Sequence, residues 1–168
     1  MYHTRNMELL APGVKVYNTR NMDRLASSLI DLVGFLNSPQ RDDALLREAG
    51  VSLDRALFPL LVRLGVRSPL GVAELAGQVG RDPTTVSRQL ARLEGLGLIE
   101  RCEREADRRR NAARLTAAGR TIVEAITAAR RRLLSRALAD WSEADRAALA
   151  DLNRRFADAM ISFAAERS

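Results

Sequence analysis

The sequence contains very few of the residues that build disulfide frameworks, metal sites and nucleophilic catalytic sets. Its 168 residues include one cysteine, Cys102, and one histidine, His3. One cysteine excludes an internal disulfide framework and a cysteine-based zinc site. One histidine makes His-rich metal sites and most Ser/His or Cys/His catalytic sets hard to build. We therefore expect a protein that is not an enzyme and that carries no metal or cofactor.

Long apolar runs are missing as well. No run approaches the ~18 residues that a membrane span requires. The start of the chain carries the polar residues Tyr2, His3 and Arg5 and lacks the apolar segment of a secretory signal. We expect a protein of the reducing cytoplasm with no membrane-spanning segment.

Positive charge is what the sequence has in excess. Lys and Arg total 27 against 21 for Asp and Glu, which gives a net charge of +6 and a pI near 10.8. A hydrophobic content of 46% over 168 residues is enough for one globular domain with a core. A domain this basic suggests a polyanionic partner, nucleic acid first and an anionic membrane surface second.

The N-terminal segment, residues 1–21, contains a short duplication. Residues 2–7 recur at 17–22 with five of six positions identical. One repeat of six residues cannot form a solenoid, and we interpret it as a duplication or a start-site artefact. We expect the segment to be partly disordered or to wrap a partner subunit.

A first helix and a loop follow. Apolar side chains at alternating spacings of three and four residues mark one face of the helix: Met22, Leu25, Leu29, Leu32 and Leu36. Residues 37–39, Asn-Ser-Pro, end it. Residues 40–50 are polar and charged apart from two leucines, which predicts a loop with at most one short helical turn.

The next helix is predicted to begin after Ser52, a good N-cap residue. Its apolar face consists of five leucines: Leu53, Leu57, Leu60, Leu61 and Leu64. Pro59 lies inside this pattern and removes one backbone donor, which predicts a kink.

Two short helices come next, over Val72–Val79 and residues 84–96. The turn between them contains Gly80 and ends with Asp82, which is suited to cap the second helix, and Pro83, which is suited to its first position.

Short strand-like segments at residues 98–104 and 111–116 follow, with a charged loop, residues 105–110, between them. Helix, tight turn, helix and hairpin is the order of a winged helix-turn-helix. The predicted fold is therefore mainly α with a small β-hairpin.

The second helix of this motif has a polar, basic face. Val86, Leu90 and Leu93 form its predicted buried stripe, and the 3.6-residue period fixes the opposite face. Six residues on that face donate hydrogen bonds and none of them is acidic: Thr84, Thr85, Ser87, Arg88, Gln89 and Arg92. Such a helix fits the major groove of DNA.

Roles can be assigned to these side chains by their hydrogen-bonding groups. Arg88 is the best candidate for a bidentate contact to guanine, and Gln89 is able to read adenine. Thr84, Thr85 and Ser87 are better suited to phosphates, which the free N–H groups of a helix N-terminus also attract.

The hairpin adds further positive charge. Residues 101–120 contain seven arginines and three acidic residues, and Arg108, Arg109 and Arg110 are consecutive at the predicted tip. An arginine on a thin loop can enter a narrow minor groove, where the potential is most negative. We expect Asp107 to pair with a neighbouring arginine and fix its direction. The alternative is a solvated charged loop.

Two C-terminal helices complete the chain. Thr116 is suited to cap the first, and residues 142–145 resemble a capping box for the second. Apolar residues at spacings of three and four form a heptad seam on the last helix: Leu149, Leu152, Phe156, Ala159 and Phe163.

These motifs resemble those of a known family. Residues 87–101 read Ser-Arg-Gln-Leu-Ala-Arg-Leu-Glu-Gly-Leu-Gly-Leu-Ile-Glu-Arg, which is similar to the recognition helix and first wing strand of the MarR (multiple antibiotic resistance regulator) transcription factors. Asp107-Arg108-Arg109, followed by Leu-Thr-Ala-Ala-Gly at residues 115–119, resembles the Asp-x-Arg wing of that family and its entry to the fifth helix. The resemblance covers residue 22 to the C-terminus.

The resemblance implies a homodimer that places two recognition helices in successive major grooves of a pseudo-palindromic operator, with half-site centres ~10 bp apart or a multiple of that. It divides the chain into residues 1–21, a first dimerisation helix with a polar loop at 22–50, a winged domain at 51–116 and dimerisation helices at 117–168. The apolar seams supply the predicted dimer contacts: Leu25, Leu29, Leu149, Leu152, Phe156 and Phe163. Packing within one chain is the alternative for the last seam.

The same resemblance implies a regulator, usually a repressor, that small aromatic or lipophilic effectors release from double-stranded DNA. Two alternatives stay open. The first is a redox-sensing regulator that acts through Cys102. The simpler interpretation of Cys102 is a small strand residue without special reactivity. The second is a winged-helix module for protein–protein contact, which predicts an apolar outer face on residues 84–96.

Overall fold

The structure is a computed structural model that describes residues 19–104 and 107–166, with the backbone alone at residues 104 and 107–111. Within these ranges the chain forms seven helices: α1 Thr19–Leu36, α2 Pro39–Ala49, α3 Phe58–Val66, α4 Val72–Val79, α5 Pro83–Gly95, α6 Ala117–Ala137 and α7 Glu143–Ala165. Three strands form one antiparallel sheet: β1 Leu70–Gly71, β2 Ile99–Arg104 and β3 Asp107–Leu115. The mainly helical fold with a small β element is confirmed. Residues 1–18, which include most of the duplicated segment, lie outside the described residues.

The chain divides after Asp42 into two compact units. The described part of the first unit holds α1, which ends at Leu36 as the sequence predicts, with the N–H of Asn37 donating to the carbonyl of Val33 at 2.9 Å. No residue of α1 is buried. In the same unit the guanidinium of Arg41 lies 4.1 Å from the centre of the Phe35 ring, a cation–π contact.

The predicted loop at residues 40–50 is wrong, because these residues form helix α2. Leu46 is buried against Phe58 and Ile126, and Leu45 and Ala49 pack beside it. The apolar face of α2 is therefore only one turn long, too short for its periodicity to stand out among charged residues. Packing against α3 and α6, rather than sequence periodicity, stabilises the helix.

The predictions for Ser52 and Pro59 are also wrong. Helix α3 begins at Phe58, so Ser52 precedes it by six residues and does not cap it. Pro59 occupies the first turn of α3, where its missing N–H has no helical partner to lose, and it causes no interior kink. Leu57 is nevertheless fully buried, in an irregular segment closed by a hydrogen bond from its N–H to the carbonyl of Asp54 at 2.8 Å.

One hydrophobic core joins α3, α4 and α5 to the sheet. Val86, Leu90 and Leu93 of α5 are fully buried in it, as predicted from their spacing. The strand order is β1-β3-β2, and β1 pairs with β3 through Leu70 with Ala113 and Gly71 with Ala112. Strand β1 was not predicted, because a strand of two residues has no readable alternation of polar and apolar residues.

The N-terminus of α6 is bonded to the segment that follows α5. Thr116 caps α6 by accepting a hydrogen bond from the N–H of Gly119 at 3.1 Å, and its hydroxyl donates to the carbonyl of Gly97 at 2.7 Å. The N–H of Thr116 donates to the carbonyl of Leu98 at 3.1 Å. A Cβ on Gly119 would lie 2.0 Å from that carbonyl oxygen, so only glycine fits there.

Helices α2 and α6 are joined by one carboxylate. Glu48 binds Arg132 and Arg136, each with an N–O distance of 2.9 Å. These hydrogen bonds lower the pKa of Glu48 from 4.5 to about 2, and the bond from Arg136 contributes more than the bond from Arg132.

Helix α7 begins as predicted, with Ser142 accepting a hydrogen bond from the N–H of Asp145 at 3.1 Å. No residue of α7 is buried. None of the helices within residues 19–104 and 107–166 combines the length and the hydropathy needed to cross a bilayer.

Candidate nucleic-acid interface

The N-terminus of α5 is formed by a capped turn. Gly80 ends α4 in the left-handed conformation, with φ of 64°. Asp82 then caps α5, accepting a hydrogen bond from the N–H of Thr85 at 2.8 Å, as the sequence predicts. Hydrogen bonds from the hydroxyl and the N–H of Thr85 lower the pKa of Asp82. Pro83 stands in the first turn, where its missing N–H has no helical partner to lose.

Helix α5 displays the predicted DNA-contact residues on its outer side. Thr84, Ser87, Arg88 and Arg92 are exposed, whereas Thr85 and Gln89 are half-buried. The side chain of Arg88 makes one long contact, 3.4 Å from its Nη2 to the hydroxyl of Thr85. A single contact of this length holds the guanidinium only weakly.

Gln89 is bonded to a neighbour that the sequence analysis did not single out. Nη1 of Arg81 donates to Oε1 of Gln89 at 2.9 Å and to the carbonyl of Ala56 at 2.7 Å. Arg81 thereby connects the turn before α3, the turn between α4 and α5, and α5 itself. Eight residues separate Arg81 from Gln89, so helical periodicity alone does not reveal the pair.

Arg92 is also paired on this side of α5. Its Nη1 lies 2.9 Å from Oδ2 of Asp54, in the turn before α3. The pKa of Asp54 is lowered most by the hydrogen bond from the N–H of Ala56 and next by the hydrogen bond from the Arg92 guanidinium. No sequence signal predicts this pair, because the two residues are distant along the chain.

A strand of the wing bonds to α5 as well. Nη2 of Arg101 in β2 lies 3.5 Å from the carbonyl of Ser87, and its Nε lies 3.6 Å from Oε2 of Glu94. Helix α5 is therefore held both by the turn before α3 and by β2. This double attachment fixes its orientation within the second unit.

The wing is longer than predicted. Strands β2 and β3 pair from Ile99 with Leu115 as far as Arg104 with Asp107. Residues 107–110, predicted as part of a charged loop, belong to β3, so that prediction is wrong for them. The pairing with β2 is irregular here, with a register shift between Cys102 and Arg104, which the sequence pattern does not reveal.

Only the backbone is described for the predicted basic tip of the wing. The backbones of Asp107, Arg108, Arg109 and Arg110 lie in β3, and their side chains lie outside the described residues, as do residues 105–106. Nearer the base of the wing, Nε of Arg114 donates to Glu100, its cross-strand partner, at 2.7 Å.

Cys102 lies in β2, half-buried, with Ala112 as its cross-strand neighbour. No group of three or more His, Cys, Asp and Glu side chains in the described part of the chain is arranged to hold a metal ion.

The predicted dimer residues lie on the two helices that bury nothing. In the first unit, Leu25 is exposed and Leu29 is half-buried on α1. In the second unit, Leu149, Leu152 and Phe163 are exposed on α7, and Phe156 is half-buried. Other large apolar side chains are also exposed on these helices: Met22, Ile30, Leu32, Val33, Phe35 and Leu36 on α1, and Met160 and Ile161 on α7.

Comparison with known proteins gives one family match. The model of the MarR family matches residues 53–110, which run from the turn before α3 into the wing. Among curated proteins, none is significantly similar to the sequence.

Solved structures extend the likeness over most of the chain. A MarR family protein from Bacillus stearothermophilus is 23% identical, with a TM-score of 0.72 over 87% of this chain and 99% of its own, which shows the fold. MarR itself is 27% identical, with a TM-score of 0.63 over 80% and 98%. A probable transcriptional regulator from Pseudomonas aeruginosa is 33% identical, with a TM-score of 0.52 over 76% and 98%.

Proposed function

The chain belongs to the MarR family of transcription regulators, and from this premise we propose that it is a sequence-specific DNA-binding protein that acts as a homodimer. The observation that carries the proposal is the outer side of α5. Thr84, Ser87 and Arg88 are exposed there, all of them donors, directly behind a capped helix N-terminus. Donors in this arrangement suit the phosphates and base edges of a major groove.

In this proposal Arg88 contacts guanine, and Thr84, Thr85 and Ser87 hold phosphates. Arg92 exchanges its carboxylate partner for a phosphate when the helix enters the groove. Contacts of this kind position the protein without reading sequence, so most of the specificity falls to Arg88 and its neighbours.

The wing supplies a second set of contacts in the proposal. Arg108, Arg109 and Arg110 enter or flank the minor groove, where a narrow groove concentrates negative potential. Asp107 directs one of these arginines. The seven arginines of residues 101–120 support this role by their charge.

The proposed dimer is formed by α1 and α7 of two copies. Each helix exposes a series of large apolar side chains, and neither contains a buried residue. Exposed apolar area on this scale is typical of interaction surfaces. A second copy is the occupant that the function requires, because two recognition helices read a pseudo-palindrome.

The regulatory outcome in the proposal is repression relieved by a small aromatic or lipophilic effector. The family membership supports this part. Such an effector acts by favouring a dimer whose recognition helices no longer match the spacing of the grooves.

A binding titration tests the proposal. We would measure the fluorescence anisotropy of a labelled duplex from the upstream region of the protein's own gene, and of a scrambled duplex, across salt concentrations. We expect tighter binding to the upstream duplex, two chains per site, and a logarithm of affinity that falls linearly with the logarithm of salt concentration.

Two results would overturn the proposal: equal affinity for both duplexes at every salt concentration, or binding by a monomer. A winged module for protein–protein contact predicts no duplex binding at all. The polar, charged outer side of α5 argues against that alternative.

A further inference from the structure

The contact between Arg81 and Gln89 determines which atoms Gln89 can offer to DNA. An amide side chain has an acceptor, Oε1, and a donor group, the Nε2 amine. In this protein Oε1 is turned toward Nη1 of Arg81 at 2.9 Å. Oε1 keeps a second lone pair, but the guanidinium beside it disfavours the approach of another donor, so the amine is the better group for an outside partner.

The local fold holds Arg81 in place for this contact. The N–H of Arg81 donates to the carbonyl of Ala76 at 3.0 Å, which closes the turn after α4. Its Nη1 also donates to the carbonyl of Ala56 at 2.7 Å. Arg81 and Gln89 are both half-buried, so the contact is shielded in part from solvent. The guanidinium is thus anchored by the turn before α3 as well as by α5, and the backbone of Arg81 is itself fixed to α4.

Recognition of adenine by an amide needs both of its groups. The amide oxygen accepts from N6 of adenine, and the amide nitrogen donates to N7. An approaching N6 amino group would meet Oε1 beside a guanidinium, whose hydrogens repel those of the amino group. Guanine presents the acceptors N7 and O6, and thymine presents O4. Both suit a donor next to a positive charge.

We propose that Arg81 is a positioning residue that makes Gln89 a donor-only reader, so that the base facing Gln89 presents major-groove acceptors without an amino group beside them, as guanine and thymine do, and is not adenine. This inference rests on the proposed function. It replaces the expectation from the sequence that Gln89 reads adenine.

The test begins with the operator of the full-length protein, defined by selection from random duplexes. Duplexes with each of the four bases at every half-site position are then titrated against the parent protein and Gln89→Met, which removes the amide. The position at which Gln89→Met makes the four bases equivalent is the one that Gln89 reads. We expect the parent to prefer guanine or thymine over adenine there by about tenfold.

Arg81→Met then separates positioning from a merely structural role. Release of the amide should shift the preference at that one position toward adenine by about tenfold and leave the other positions unchanged. A structural role would instead lower the affinity for all sequences equally. Arg131→Ala, which removes the same charge from an exposed site on α6, is the matched control and should shift no preference.

A second variant does not depend on the stability of Arg81→Met. Gln89→Glu keeps a partner for Arg81 but has no donor, so the preference for guanine or thymine should disappear and cytosine, which presents an amino donor, should be favoured.

The inference is overturned by a parent preference for adenine at the Gln89 position, by a Gln89→Met variant that changes no position, or by a uniform loss of affinity in a folded Arg81→Met protein. If selection from random duplexes yields no preferred sequence, the proposed function is overturned together with this inference. That outcome differs from the three above, in which an operator is found.

Discussion

Arg92 Nη1 and Asp54 Oδ2 are 2.9 Å apart, so an arginine of the proposed DNA-binding helix is paired with a carboxylate of the turn before α3. The guanidinium is mostly exposed, with 60% of its side chain accessible. A pair this open is weak and easily exchanged for another anion. In the proposed complex, Asp54 therefore competes with DNA phosphates for Arg92.

We expect Asp54→Asn to bind duplexes more tightly than the parent. The amide keeps an acceptor for the N–H of Ala56 but frees Arg92, so that its contact with a phosphate no longer requires an ion pair to be broken. Affinity should rise for operator and unrelated duplexes alike, because a phosphate contact does not read sequence. Anisotropy titrations of both duplexes measure the change. Asp158→Asn, which removes a carboxylate paired with Arg154 on α7, is the control. An affinity equal to that of the parent would contradict the competition.

Arg88→Ala should relax base preference at one position of each half-site by about 1–3 kcal/mol. Arg109→Ala should instead lower affinity for all duplexes by a similar factor, because a wing arginine contributes mainly through charge. Titration of operator duplexes with single base changes distinguishes the two effects. If both variants bind the operator as the parent does, the assigned contacts are wrong.

Leu152→Glu should dissociate the proposed dimer without unfolding the chain. Its side chain is 59% exposed in the single chain, so a charge there costs little until a second copy covers it. Sedimentation equilibrium measures the mass, and circular dichroism the helix content. Val66→Glu, at a residue 78% exposed on α3, is the control and should stay dimeric. A dimeric Leu152→Glu protein would remove this part of α7 from the interface.

The sequence predicted most accurately those elements whose signals are local. The caps Asp82, Thr116 and Ser142 and the buried stripe of α5 all depend on residues within one or two turns, and the structure confirms them. Helix α2 was missed because a single buried leucine, Leu46, stabilises it through packing against α3 and α6.

The electrostatic contacts of α5 were not predictable in the same way. Arg81 reaches Ala56, Arg92 reaches Asp54, and Arg101 reaches Ser87, over sequence separations of 14 to 38 residues. Each depends on how α3, α5 and β2 pack together. The helical period identified the basic face of α5, but it did not identify which arginines on that face already have partners.

Acid should weaken the link between α2 and α6. The folded-state pKa of Glu48 is about 2, below its ordinary value of 4.5, because Arg136 and Arg132 stabilise the carboxylate. Its contribution to stability is therefore complete above pH 4.5 and is lost as the pH falls toward 2.

Thermal unfolding of Glu48→Gln and the parent measures this effect. The difference in Tm should be largest above pH 4.5 and should vanish near pH 2, and salt should reduce it because the pair is partly exposed. Glu124→Gln, at an exposed carboxylate on α6, is the control and should not follow this course. A pH-independent difference for Glu48→Gln would count against the link.

Gly119→Ala should destabilise the protein by about 3 kcal/mol, because overpacking against rigid backbone cannot relax. The added methyl would lie 2.0 Å from the carbonyl oxygen of Leu98. Urea unfolding measures the loss. Gly77→Ala, in α4 with nothing within 4 Å of the added Cβ, should be neutral or slightly stabilising. Equal stability of the two variants would contradict the close approach.

The same junction has a mechanical consequence. Since Thr116 is bonded to both Gly97 and Leu98, the long helix α6 starts directly against the residues that follow α5. We expect a tilt of α6 to rotate α5 with it. In the proposed dimer, a ligand bound far along α6 would then change the distance between the two copies of α5 and leave the structure of each winged domain intact.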